Sequence, residues 1–346
     1  MGLISLRQLL DDAGERGYGM PAFNITNLET LQGVMQAAEA TRSPVIVQAS
    51  QSARKYADDI LLRHMLLGAL ERWPSIPICI HLDHGSSLKI CTAAMDLGFS
   101  SVMMDGSLEE DQKTPSSFDY NAEVTAATVR VAHARGVSVE GEIGVLGSLE
   151  TGAGEKEDGH GFEGTLDKSA LLTDPDLAVR FVALTGVDAL AVAVGTSHGA
   201  YKFSRRPTGD ILAMDLIEAI HARLPNTHLV MHGASTIPEE MQQLINDNGG
   251  NIAKTFGVPL EEVERGIRSG VRKINIDTDL RMALTGSNRA YLNAHPDSFD
   301  IRAMNKPGVA RIKALCIERF ERFGPAGRAD HIVPVPLEDM RQRYGV

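Results

Sequence analysis

Residues 77–105 read PICIHLDHGSSLKICTAAMDLGFSSVMMD. An apolar run over 77–83 ends in polar residues, a helically spaced stretch follows over 88–97, and a second apolar run, 100–105, ends in aspartate. Run, helix and run make one β–α–β unit, the crossover that parallel strands need. The unit repeats outward in both directions. Strand-like runs fall at 18–24, 44–49, 77–83, 100–105, 137–144, 189–195, 228–232 and 271–277. Amphipathic segments fall at 28–41, 60–73, 88–97, 121–135, 176–185, 209–224 and 238–248. Eight alternations of strand and helix period predict a parallel sheet with crossover helices. The runs are rich in Val, Ile, Met and Ala on both faces, as in a sheet covered on both sides. Eight units fit a closed (β/α)8 TIM barrel, an α/β fold, better than an open doubly wound sheet. The open sheet calls for G-x-G-x-x-G after its first strand, and none stands there.

Composition bounds the rest. Of 346 residues, 43% are hydrophobic and 23% charged, which fits a soluble globular chain and excludes a disordered or collagen-like one. A net charge of −11 offers a polyanion no general attraction, so no nucleic-acid partner is expected. An anionic substrate must then be held by local cations and backbone amides. Cys79, Cys91 and Cys316 are odd in number and far apart, which argues for a reducing compartment and against a disulfide framework. No apolar run reaches about 18 residues and no secretory h-region opens the chain, so a cytoplasmic protein without membrane partners is expected. Residues 1–288 are expected to form the barrel. Residues 289–346, with a helical pattern over 307–323, are expected to form a C-terminal helical extension packed on the barrel or at a subunit interface.

His84, His198 and His232 each fall at or just beyond the C-terminal end of a predicted strand, and each is followed by glycine. In a parallel barrel those ends converge on one rim, and three imidazoles with an open position suit a catalytic zinc. They also read as independent loop or core histidines. His81 and Asp83 share one face of their strand, and only because the strand ends there can Asp83 and His84 turn into the same pocket. Asp83 then reads as a residue that orients a ligand or as a general acid/base. Glu140 and Glu142 lie at period two on one face, which is costly inside a barrel unless a cation or a basic partner meets them. Asp105 with Glu142 suggests a second, hard-ligand cation position; a solvated rim pair is the alternative. The turns at Gly199–Lys202, Gly233-Ala234-Ser235 and Asn275-Ile276-Asp277-Thr278, with Arg281 beyond, lie where barrels bind phosphate. Residues 148–166 are glycine- and acid-rich and follow the fifth strand, on the face where barrels place mobile catalytic loops.

These residues resemble the zinc-dependent class II fructose-1,6-bisphosphate aldolases from about Leu3 to the tail. The most specific matches are Ile80-His81-Leu82-Asp83-His84-Gly85 and Val139-Glu140-Gly141-Glu142-Ile143-Gly144 through Glu150. The resemblance implies zinc on His84, His198 and His232, a proton-transferring Asp83, a second divalent position at Asp105 and Glu142, and a loop glutamate at Glu150. It implies dihydroxyacetone-phosphate contacts at Gly199, Lys202, Gly233, Ser235, Asn275, Asp277 and Thr278. Ser50 and Arg281 match positions for the other phosphate, and Arg302 an arginine lent to a neighbouring subunit. A monovalent cation (Na+ or K+) and a homodimer or homotetramer are implied as well. So is a reaction in which zinc polarises the carbonyl and stabilises the enediolate. The extended acidic loop resembles the Calvin-cycle branch, which adds sedoheptulose 1,7-bisphosphate to the expected substrates.

A tagatose-1,6-bisphosphate aldolase would use the same machinery with opposite stereochemistry at carbon 4, and no single residue separates the two. An amidohydrolase would carry H-x-H on the first strand, where Ala22-Phe23-Asn24 stands. A non-catalytic phosphosugar-binding protein is disfavoured by Asp83 beside the histidines.

Overall fold

The computed structural model describes residues 2–109, 114–144, 153–154, 164–165, 171–196, 201–203, 206–207 and 211–346. The strands in chain order are β1 (Met20–Asn24), β2 (Val45–Ser50), β3 (Ile78–Gly85), β4 (Ser101–Met104), β5 (Ser138–Ile143), β6 (Ala153–Gly154), β7 (Gly164–Thr165), β8 (Ala189–Val192), β9 (His228–Met231) and β10 (Val271–Ile276). All but β6 and β7 close into a barrel in the order β1-β2-β3-β4-β5-β8-β9-β10, every pairing parallel; β6 and β7 form a small antiparallel ribbon. The helices are α1 (Leu6–Arg16), α2 (Leu28–Thr41), α3 (Gln51–Ala57), α4 (Asp59–Arg72), α5 (Leu88–Asp96), α6 (Phe118–His133), α7 (Pro175–Thr185), α8 (Met214–Arg223), α9 (Glu239–Asp247), α10 (Leu260–Arg268), α11 (Thr278–Ala294), α12 (Ile301–Phe323) and α13 (Leu337–Arg343). The eight strands expected from the sequence are the eight of the barrel. Among the described residues, no helix is long and apolar enough to cross a membrane.

The inside of the barrel is divided along its axis. Toward the N-terminal ends of the strands it is apolar: Met20, Ala22, Ile46, Cys79, Met103, Ala189, Ala191 and Val230 pack on Leu6, Leu9, Leu10 and Ala13 of α1, which plugs that end. Toward the C-terminal ends the same alternation delivers polar side chains. Along β3 the inward positions run Cys79, His81, Asp83, from the plug to the rim. The outward face of each strand meets the helices in a second apolar layer.

The division between 288 and 289 falls inside α11, and α12 places Ile312, Leu315, Phe320 and Phe323 in the core that joins strands to helices. Phe320 meets Phe23 of β1 edge to face at 5.4 Å. The tail is therefore part of the barrel's outer layer. Its helix also starts at Ile301 and runs through Pro307 rather than starting there. Asp300 caps it by accepting from the Arg302 N–H at 2.9 Å, and packing on α2 and α11 holds the turn where proline lacks a donor.

Candidate active site

The polar half of the interior is ordered by β3. Within a strand His84 would face away from Asp83, but its φ is +50°, a left-handed value that turns the imidazole inward beside the carboxylate. Asp83 is buried and held from two sides. Asn24 donates to its Oδ2 at 2.8 Å, Asn275 donates to its Oδ1 at 3.2 Å, and Gln48 in turn donates to Asn24 at 2.6 Å. Burial alone would raise this carboxyl. The charges of His84, His232 and Lys273 and the Asn24 hydrogen bond outweigh it and hold the group well below the usual carboxylate range.

His84 and His232 meet at the axis, His84 Nε2 lying 3.1 Å from His232 Nδ1 and the rings crossing at 84°. Each ring is backed by a carboxylate. Asp105 lies 2.8 Å from His84 Nδ1, and Glu140 lies 2.9 Å from His232 Nε2. Each carboxylate takes an N–H at that position, so the inner nitrogens are aimed at each other and at one shared positive charge. Burial opposes charge on His84, yet Asp83, Asp105 and Glu142 push its pKa up to about 10. Burial and the charge of His84 pull His232 down, although Glu140 opposes them. The site demands a cation, and a proton between the rings or a metal ion meets the same demand.

Among the described residues two groups could hold such an ion: Asp83, His84 and His232, and His84, Asp105 and Glu142, with ligand atoms in each group within 4.8 Å of one another. The buried Glu142 Oε2 has no hydrogen-bond partner among the described residues, and burial, then the Asp105 charge, raises its pKa well above the ordinary value. A divalent cation would satisfy it, so these residues fit a metal. His198, Gly199 and Glu150 lie outside the described residues.

Glu140 proves to have a basic partner. Lys273 of β10, fully buried, lies 2.9 Å from its Oε2 and also donates to Asn275 at 2.7 Å. His81, 2.8 Å from Ser101 Oγ, faces the same carboxylate at 3.5 Å. Burial raises Glu140, but Lys273 and His232 hold it at about 2. The sequence reading missed Lys273, Asn24 and Gln48 as parts of the site. The signal was present: each is a polar residue at an inward register position of a predicted strand.

The rim residues gather around this centre. Lys202 is buried, Gly233 takes φ +62°, and Ser235 Oγ accepts from the Asp277 N–H at 3.4 Å. Thr278 opens α11 and is buried. Ala234 and Ile276 turn their side chains into the outer core, so any ligand contact from them is through the main chain. Ser50 caps α3, accepting from the Ala53 N–H at 3.1 Å. Arg281 is clasped by Asp277 at 2.8 and 2.6 Å and lines a cavity of about 440 Å³ with Asn27, Ser52 and Tyr56. Arg302 is not brought to this centre. It is exposed at the start of α12, held by Asp300 at 3.0 and 2.9 Å, and lines a separate groove with Glu29 and Gln32 of α2.

A relative in Nostoc commune named fructose-bisphosphate aldolase is 59% identical over 99% of this chain and 96% of its own length. One of the same name in Rhizobium meliloti is 58% identical over the same shares. The crystal structure of the YdjI aldolase from Escherichia coli superposes with a TM-score of 0.70 at 26% identity, covering 94% of this chain and 99% of that one. The profile described as fructose-bisphosphate aldolase class-II matches residues 4–328. With that profile spanning nearly the whole chain and relatives of this identity along its full length, the chain belongs to the class II fructose-bisphosphate aldolase family.

Proposed function

We propose that this chain reversibly cleaves fructose 1,6-bisphosphate to dihydroxyacetone phosphate and glyceraldehyde 3-phosphate, with Asp83 as the proton acceptor and donor. The observation that carries the reading is the juxtaposition of an amide-clamped, ionised Asp83 with two carboxylate-backed imidazoles aimed at one point. His84, His198 and His232 would hold zinc, and Asp105 with Glu142 a second divalent ion. A bound zinc supplies a Lewis acid that draws electron density from the carbon-2 carbonyl.

The protein's own groups do the rest. Cleavage breaks the bond between carbons 3 and 4, leaving its electron pair on carbon 3. Asp83 takes the proton of the carbon-4 hydroxyl as that oxygen becomes the aldehyde, and in synthesis it returns the proton. Asn24 and Asn275 donate to both carboxylate oxygens, which keeps Asp83 ionised and its orientation fixed before substrate arrives. Glu150 would exchange the proton at carbon 3. Lys202, Ser235 and the main chain around Gly233 and Asp277 would bind one phosphate. Arg281 and Ser50 would bind the other, Arg281 sharing its guanidinium with Asp277. Binding the two ends fixes the reacting atoms between them.

The test is release of glyceraldehyde 3-phosphate from fructose bisphosphate, measured with and without a chelator, with the tagatose and sedoheptulose bisphosphates in parallel. Chelation should abolish cleavage and zinc should restore it. Full activity after metal removal would refute the reading.

A further inference from the structure

At the N-terminal end of the barrel, opposite the active site, lies a cavity of about 500 Å³ whose walls include Arg7, Asp11 and Gly14 of α1, His221 of α8, and His228 and Arg272 at the start of β9 and β10. Arg272 sits where β10 slips register against β9, between Val271 and Lys273. Such an irregularity re-aims a side chain out of the ladder. The residue is 9% exposed. Its Nη1 donates to the carbonyls of Ile267 and Val271 at 2.7 and 2.9 Å, while the buried Nε has no partner among the described residues. Among the described residues no carboxylate lies within ion-pair distance of this guanidinium. His221 Nδ1, on the same wall, is likewise buried without a partner. Asp11 is occupied by Arg7 Nε and His228 Nε2, each at 2.8 Å, and Glu15, the other carboxylate of the wall, is exposed to solvent.

A buried cation without a counter-charge is unfavourable, and nothing in the aldol chemistry uses this one. Gly14 adds a second, independent sign. It stands inside α1, where glycine is a poor helix former. A Cβ there would come within 3.3 Å of His228 Cε1 and 3.9 Å of Arg272 Nε, so the glycine keeps the space over the guanidinium open. We infer that this cavity binds a small oxyanion of the phosphate class, with Arg272 as its central contact and His221 and Arg7 beside it. The planar guanidinium fork suits a tetrahedral oxyanion, and the volume admits a phosphate-bearing metabolite as well as the free ion.

The probe is inorganic phosphate, and the readout is the thermal unfolding midpoint of the full metal-loaded chain in chloride buffer, with and without phosphate. An anion that binds only the folded state raises the midpoint. Phosphate at the catalytic rim raises it equally in the unaltered chain and in Arg272→Gln, so the difference between the two reports this cavity alone. Arg272→Gln is expected to lose about half or more of the phosphate-dependent rise. His221→Gln should lose a smaller part of it, and it carries the test if Arg272→Gln does not fold. A rise in these variants equal to that of the unaltered chain overturns the inference.

Discussion

Glu140 shows how one residue serves both stability and chemistry. Its two oxygens are divided between His232 and Lys273, all three fully buried or nearly so. Glu140→Gln leaves the Lys273 ammonium inside the barrel without a counter-charge, a loss of about 3–5 kcal/mol. It also replaces the charged acceptor that orients His232 with a neutral amide oxygen, which should weaken metal binding by about 10–100-fold. Chemical denaturation and metal titration against a competing chelator check the two effects separately, and an unchanged pair of values would show that Glu140 does neither. Asp83→Asn tests the proton transfer. The amide keeps the shape but cannot take a proton, so turnover should fall by about 10²–10⁴-fold while metal content and substrate affinity are largely retained. A raised Michaelis constant with intact turnover would make Asp83 a substrate-positioning group only.

At the scale of elements, the turn after β9 is held from behind by α11 and α12. Asp279 of α11, fully buried, accepts from the Thr236 and Ile237 N–H groups at 3.1 and 2.8 Å and from Thr236 Oγ1 at 3.0 Å. Ile237 takes φ +50°, a strained value for a β-branched residue, which these bonds secure. Arg319 of α12 reaches in to donate to Thr236 Oγ1 at 2.8 Å and lies 3.4 Å from Asp279. Asp279→Ala leaves the half-buried Thr236 and buried Ile237 N–H groups without their acceptor and Arg319 with Glu318 as its remaining carboxylate, so it should destabilise the chain by about 1–3 kcal/mol. It should also raise the Michaelis constant more than it lowers turnover, because Ser235 sits on that turn. Steady-state kinetics beside a denaturation curve separate the two. Equal stability with unchanged kinetics would show that the clamp is incidental.

For the whole molecule, the outer layer is continuous from α2 through α12. A chain ended after Ala294 lacks Ile312, Leu315, Phe320 and Phe323, and uncovers the apolar faces of α2 and β1. Burying such side chains is worth about 1.5–3 kcal/mol each, so the shortened chain should fail to fold cooperatively. Retained near-ultraviolet circular dichroism and a sharp melt would instead make residues 295–346 a separable appendage. The three cysteines give a second whole-molecule test. Burial pushes the Cys79 and Cys91 thiols up to about 12 and Cys316 higher still. Thiolate is the reactive form, so none should react with a disulfide reagent in the native protein near neutral pH, and all three should react on unfolding. Rapid labelling of the folded chain would contradict this packing.

Much of this molecule is legible in its letters. Eight runs of strand period separated by helical ones dictate a parallel barrel, because parallel strands need crossovers and eight of them can close on themselves. Histidines and acids at the ends of those runs mark the rim, since all C-terminal ends meet there. What the letters could not carry is decided across the barrel. Lys273 and Glu140 are 133 positions apart, and neither strand alone shows that they neutralise each other. Asp83 is held ionised by charges from β3, β10 and just beyond β9 and oriented by Asn24 and Asn275, from the first and last strands of the barrel. The tail's helix pattern follows a completed set of eight units and does not say which surface it covers; only the folded barrel brings Phe320 to Phe23 at the first strand. Periodicity is a local property of the chain. Counter-charge, clamp and closure depend on distances between strands, and those exist only once the barrel has formed.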